Sequence, residues 1–167
     1  LLVEDGEGYS VHLIDFGIAS MMEGPKTGRI NTQDGMIRGT PNYMAPELFE
    51  GYSPASFQSD LYAVGLVLLE CLTGNVVFTG VTVMEIGFKQ THQEVVVPSF
   101  IPPCLASIIQ KCCAKAINMR YSSARELSDA LLEALPRAEA EREACANAYL
   151  KENEAPEVSA PKRKPIL

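Results

Sequence analysis

The sequence predicts a mainly α protein that begins on a short β-hairpin. Residues 1–3 and 9–14 are short apolar runs on either side of Glu4-Asp5-Gly6-Glu7-Gly8, a composition that joins paired strands. From residue 45 onward, apolar side chains recur at helical spacing and are separated by Gly and Pro punctuation. At 167 residues and 47% hydrophobic, the chain can bury one ordinary core and is about one domain long.

The elements follow in order. Gly6-x-Gly8-x-x-Val11 has the opening spacing of a phosphate-cradling loop, but a hairpin turn accounts for both glycines. Residues 21–37 carry Gly24-Pro25, Gly28 and Asp34-Gly35 with few apolar positions in register, and read as a long loop. Pro46 suits the first turn of a short helix over 45–49, which Gly51 ends. Residues 59–72 form the most apolar helix, with Leu61, Val64, Leu68 and Leu72 on one face and Val67 and Leu69 on the others. A helix apolar nearly all round is expected to be buried and central, with Gly74 as its carboxy-terminal cap.

A short helix is expected over 82–88, then an extended connector through Val95-Val96-Val97-Pro98 and Pro102-Pro103. Residues 105–114 follow as a helix with Leu105, Ile108, Ile109 and Cys112 inward. Ser123-Ala124-Arg125-Glu126 is a capping-box pattern opening a helix marked by Leu127, Leu131 and Leu135. Pro136 is expected to break that helix. Residues 136–153 then read as a separate charged, Ala/Glu-rich helix that only grazes the body, and 154–167 as a disordered Pro/Lys-rich tail.

Composition excludes several functions. A net charge of −7 argues against nucleic acid, whose phosphates are bound by clustered Lys and Arg. Five cysteines without C-x-x-C spacing fit reduced thiols in a cytoplasmic protein better than a disulfide framework or a zinc site. The longest apolar stretch, 61–69, is far short of the roughly 18 residues of a membrane span. Leu1-Leu2-Val3 has no charged region before it and reads as a cut within a strand, not a signal peptide. Lys162-Arg163-Lys164 reads as a solubilising tail, with an inner-leaflet flank as the alternative.

Leu13-Ile14-Asp15-Phe16-Gly17 puts a carboxylate and a glycine at the end of an apolar run, and alone it is no more than a turn. It is followed across the long loop by Gly39-Thr40-Pro41-Asn42-Tyr43-Met44-Ala45-Pro46-Glu47. Ser59-Asp60-Leu61-Tyr62-Ala63-Val64-Gly65 and Met119-Arg120-Tyr121 come next. In that order, these four motifs resemble the carboxy-terminal lobe, from the activation segment onward, of a eukaryotic-type protein kinase, specifically a bacterial serine/threonine kinase. The resemblance covers residues 1–135 and implies a kinase-like C-lobe with a hairpin before its DFG motif.

The resemblance carries roles over one residue at a time. Asp15 matches the magnesium-binding Asp of the DFG motif, a hard oxygen ligand suited to a cation on nucleotide phosphates, and Gly17 allows the sharp turn behind it. Phe16 matches the apolar residue whose packing reports active and inactive states. Gly39, Thr40, Pro41 and Tyr43 match the segment that receives the substrate peptide, Thr40 being typical of the serine/threonine branch; a simple turn residue is the plainer reading of Thr40. Glu47 and Arg120 match a pair that the family buries, an architectural role. Asp60 lies at a helix amino terminus, where negative charge is favoured, and in the family also ties down the catalytic loop. Thr27 and Thr32, near Lys26, Arg29 and Arg38, are candidate phosphorylation sites, although solvated loop threonines are common. Ser20 is a weaker candidate.

The resemblance begins after the point where the family carries its His-Arg-Asp catalytic loop and metal-binding Asn. No Val-Ala-x-Lys strand or glycine-rich loop precedes it. It therefore implies a partial kinase domain, with ATP and Mg²⁺ bound only once the amino-terminal lobe and catalytic loop are supplied, and a protein as substrate. The alternative is a non-catalytic, kinase-like binding module or pseudokinase fragment. Asp15-Phe16-Gly17 favours the kinase, because a scaffold has no physical need of a magnesium ligand. Substrate identity, activating signal and oligomeric state are not legible.

Overall fold

The computed structural model of the chain describes residues 2–4, 6, 9–11, 40–50 and 55–153. The expectations resting on Asp15, Phe16, Gly17, Ser20, Thr27, Thr32, Gly39 and the tail lie outside the described residues. Strand β1 (Leu2–Glu4) pairs antiparallel with β2 (Tyr9–Val11), Leu2 opposite Val11 and Glu4 opposite Tyr9. Gly6, between them, has φ of 81°, a left-handed conformation that glycine adopts without steric cost.

A single 3-10 turn, Pro41–Tyr43, leads into helix α1 (Pro46–Glu50), which opens on its proline. Helix α2 (Phe57–Thr73) starts two residues before the sequence expectation because a reciprocal capping box forms there. The Ser56 hydroxyl accepts from the Ser59 amide and the Ser59 hydroxyl from the Ser56 amide. Gly74 ends the helix in the left-handed region, φ 71°, with its amide donating to the Glu70 carbonyl.

The face of α2 that is buried differs from the expected one. Leu61, Tyr62, Gly65, Leu66 and Leu69 turn inward, whereas Val64, Val67 and Leu72 are exposed. An all-round apolar pattern carries no direction, so packing by other elements decides which stripe is covered. Helix α4 (Pro103–Cys112) takes that inner stripe, burying Ile108, Ile109 and Cys112 against it, while Leu105 is only partly buried. A Cβ on Gly65 would stand 2.5 Å from Cys112 Cβ and 2.7 Å from Cys113 Sγ, so glycine is what lets the two helices approach.

Helix α3 (Val83–His92) is capped by Thr82, whose hydroxyl accepts from the Glu85 amide at 3.1 Å. It runs a turn past the expected end because Gln90, polar by type, is fully buried and continues the inner face. Helix α1 packs on α3, with Phe49 lying where a Cβ on Gly87 would fall.

A 3-10 turn, Ile117–Met119, precedes helix α5 (Ala124–Asn153). The Ser123 hydroxyl caps it by accepting from the Glu126 amide, and the Glu126 carboxylate accepts in return from the amide and hydroxyl of Ser122. The expected break at Pro136 does not occur, and α5 is one helix through that residue. Pro136 and Leu132 both lie on the exposed side, so the Leu132 carbonyl that loses its partner can turn to water, while Ala134 and Ala138 are buried on the other side. The second half also does more than graze the body: Glu141 Oε2 lies 3.8 Å from Cys104 Sγ, and Tyr149 meets Phe100 edge to face at 5.1 Å. No helix among the described residues is long and apolar enough to cross a membrane.

Candidate functional site

The turn Thr40-Pro41-Asn42-Tyr43 sits between α2 and α3. Thr40 leads in with extended backbone and an exposed side chain that makes no capping bond. The Met44 amide donates to the Pro41 carbonyl at 3.1 Å and closes the turn. Pro41 restricts the backbone, but a single 3-10 turn has too few internal bonds to hold itself.

Neighbouring elements supply what the turn lacks. The Tyr43 hydroxyl donates to Glu70 Oε2 on α2 at 2.6 Å, and that hydrogen bond raises the phenol pKa. Asn42 Nδ2 donates to the Phe78 carbonyl at 2.7 Å. Gln90 Nε2 on α3 donates to the Asn42 carbonyl at 2.7 Å. The turn is thus fastened to α2, to the segment after it, and to α3.

In the first turn of α1, four residues after Tyr43, Glu47 forms a bidentate pair with Arg120, both bonds 2.8 Å long. The two side chains are 7% and 0% exposed. All five guanidinium N–H groups are used: Nε donates to the Ala114 carbonyl, and the remaining two on Nη1 and Nη2 go to the carbonyls of Gln58 and Lys115. Ser59 donates its hydroxyl proton to Glu47 Oε1 at 2.8 Å. Burial pushes the Glu47 carboxyl upward, but its hydrogen bonds, led by those from Arg120, outweigh that and hold it below the usual carboxylate range. The guanidinium also lies 4.8 Å from the centre of the Tyr62 ring.

Asp60 lies in the first turn of α2 with an exposed side chain. Neither Cys112 nor Cys113 offers a reactive centre: burial pushes the Cys112 thiol up to about 11 and the Cys113 thiol up to about 12, so both remain protonated near neutral pH. Among the described residues no cluster of three His, Cys, Asp or Glu side chains could hold a metal ion.

Sequence reasoning missed Glu70, Gln90, Lys115 and Tyr62 as supports of the turn. Each lies far along the chain from Asn42 or Tyr43; Tyr62 stands in the Ser59–Gly65 motif without that role, and Glu70, Gln90 and Lys115 belong to no short motif. Gln90 alone left a trace, as a polar residue four positions after Ile86 on the apolar side of a helix.

The protein kinase domain model matches residues 1–132. The chain is 35% identical over 124 residues to a Lactococcus lactis protein named "Probable serine/threonine-protein kinase PknB", covering 71% of this chain and 19% of the relative. It is 36% identical over 133 residues to the serine/threonine-protein kinase PknD of Mycobacterium tuberculosis, covering 77% of this chain and 19% of that one. To PknE of the same species it is 34% identical over 159 residues, covering 93% of this chain and 26% of the relative. It spans about a fifth to a quarter of the length of these curated relatives. With a match of that extent, the chain belongs to the protein kinase family, alongside its bacterial serine/threonine members.

Proposed function

We propose that this chain is the carboxy-terminal part of the kinase domain of a bacterial, cytoplasmic serine/threonine protein kinase. The whole protein transfers the γ-phosphoryl group of ATP to a Ser or Thr hydroxyl of protein substrates. Residues 1–135 belong to that domain, 136–153 extend its last helix, and 154–167 form a tail. The observation that supports this reading is the buried Glu47–Arg120 pair four residues along the chain from the fastened Thr40–Tyr43 turn. The bonds with Glu70, Gln90 and the Phe78 carbonyl fix the turn that follows exposed Thr40, as the docking of a peptide next to its phosphoacceptor requires.

In this reading Asp15 supplies one hard carboxylate oxygen to Mg²⁺, and its chemistry suits that ion. Mg²⁺, when bound, neutralises charge on the nucleotide phosphates. Gly17 allows the sharp turn behind Asp15, and the packing of Phe16 reports active and inactive states. Gly39, Thr40, Pro41 and Tyr43 receive the peptide, and Asp60 anchors the catalytic loop that the rest of the domain provides. Phosphate on Thr27 or Thr32 would order the loop through Arg29 or Arg38.

The experiment compares radiolabelled phosphate transfer by three proteins: the 167-residue chain, the chain completed with an amino-terminal lobe and catalytic loop, and the completed protein with Asp15→Asn. The short chain should transfer nothing, because one carboxylate holds Mg²⁺ poorly. The completed protein should label Ser or Thr. Asp15→Asn should lower its rate on the order of 1,000-fold, the scale for removing one positioned charge from phosphoryl transfer. Full activity in the Asn variant would overturn the role of Asp15. Robust transfer by the short chain would overturn the reading of it as a partial domain.

A further inference from the structure

The bond that fastens the turn to α3 ends a chain of donors that runs one way. Lys115 Nζ donates to the Gln90 carbonyl at 2.8 Å and to the Tyr62 hydroxyl oxygen at 3.4 Å. An ammonium has donors and no acceptor, so the phenol oxygen receives from it. The phenol's single proton then goes to Gln90 Oε1. That leaves Gln90 Nε2 as the end aimed at the Asn42 carbonyl, 2.7 Å away.

The direction matters because a glutamine amide is symmetric in shape but not in hydrogen bonding. Turned over, Gln90 would set its oxygen against the Asn42 carbonyl oxygen. Tyr62 and Gln90 are both 0% exposed, so water cannot replace a lost link, and a buried polar group left without a partner is costly. Lys115 lies 5.0 Å from the centre of the Phe78 ring, whose own residue accepts the Asn42 side-chain bond. One ammonium thus touches both residues that fasten Asn42, the main chain of Gln90 and the ring of Phe78.

We propose that Lys115, Tyr62 and Gln90 form a directional relay that sets the Thr40–Tyr43 turn, with Gln90 as a positioning residue for the substrate peptide and Lys115 as the group that fixes the polarity of its amide. The relay itself stands on the geometry of this chain; its effect on the peptide rests on the kinase reading above.

The test separates the two. Gln90→Glu keeps the shape and, at a pH where it is ionised, presents an acceptor to the Asn42 carbonyl, and Lys115→Met keeps the stem and removes the initial donor. Amide hydrogen exchange is followed at Met44, which closes the turn, and at Cys113, whose amide donates to the Ile109 carbonyl at the end of α4. In the 167-residue chain, exchange at Met44 should rise roughly tenfold in Gln90→Glu and less in Lys115→Met, with Cys113 unchanged, the scale of one buried hydrogen bond lost. No change at Met44, or equal acceleration of both amides, overturns the relay. Should Gln90→Glu not fold, Lys115→Met decides by the same comparison. In the completed kinase both variants should raise the peptide KM roughly tenfold while kcat and the KM for ATP stay within about twofold, as loss of uniform binding does. A fall in kcat at unchanged peptide KM overturns the positioning role. A completed kinase with no activity at all overturns the kinase reading and leaves the exchange result to judge the relay.

Discussion

At Glu47 two opposing influences meet in one carboxylate: burial favours the neutral form, and hydrogen bonds led by those from Arg120 favour the charged one and win. The balance holds only while the partner is present. Removing one side of such a pair leaves a buried charge unmatched, so Glu47→Ala and Arg120→Ala should each lower unfolding free energy by ~3–5 kcal/mol. Thr40→Ala, at an exposed residue with no capping bond, should stay within ~0.5 kcal/mol of the wild type. Denaturant midpoints of the three variants check this, and equal midpoints would refute it. The same residue gives a pH dependence. Because the folded-state pKa of Glu47 is depressed, its contribution is complete above the ordinary value of 4.5 and is lost as pH falls through the lower folded value. Glu126, exposed and held at about 2 by Lys111 and Ser122, titrates in the same acid range, but solvent screens its contribution. The stability gap between wild type and Glu47→Gln should therefore narrow below pH 4.5, since only the wild type has that carboxylate to protonate. An undiminished gap in acid, measured by denaturant titration, would exclude the linkage.

Among the elements, α5 shows how a local rule can lose to packing. A proline inside a helix removes one backbone bond and crowds the carbonyl four residues earlier, at a cost of ~3 kcal/mol. Here that carbonyl belongs to exposed Leu132, and the helix on either side of Pro136 is fixed by burial of Ala134 and Ala138. The proline ring is itself exposed. Pro136→Ala should thus raise unfolding free energy by up to ~3 kcal/mol with unchanged helical circular dichroism, and a lowered denaturant midpoint would show that the ring has a packing role. The sequence marked the end of α2 well because Gly74 can adopt the left-handed cap, but it began α4 two residues late by leaving Pro103, which suits a first helical turn, in an extended connector. It could not say which side of α2 is inward, since apolar residues surround that helix. It ended α3 early because burial of Gln90 depends on partners in α2 and the turn, which no local window contains.

For the molecule as a whole, the same division separates what was legible at the candidate site from what was not. Glu47, Arg120 and the Thr40–Tyr43 segment belong to short motifs and could be read in order, whereas the relay joins residues 42, 62, 90 and 115 only through the fold. The outer face of α2 belongs to this scale too. Val64 is 41% and Val67 46% exposed on a central, otherwise apolar helix, a surface unlike the solvated face of an ordinary outer helix. If the rest of a kinase domain covers that face, the consequence of a polar substitution there depends on how much of the domain is present. Val67→Ser in the 167-residue chain places a hydroxyl in water and should change unfolding free energy by no more than ~0.5 kcal/mol. In the completed kinase the same hydroxyl would be enclosed among apolar groups, and the loss should reach ~1–3 kcal/mol. Denaturant midpoints of wild type and variant, taken in both backgrounds, make the comparison. A similar small effect in each would mean that the outer face of α2 remains open to solvent in the longer protein, and that α2 is not the central helix of its domain.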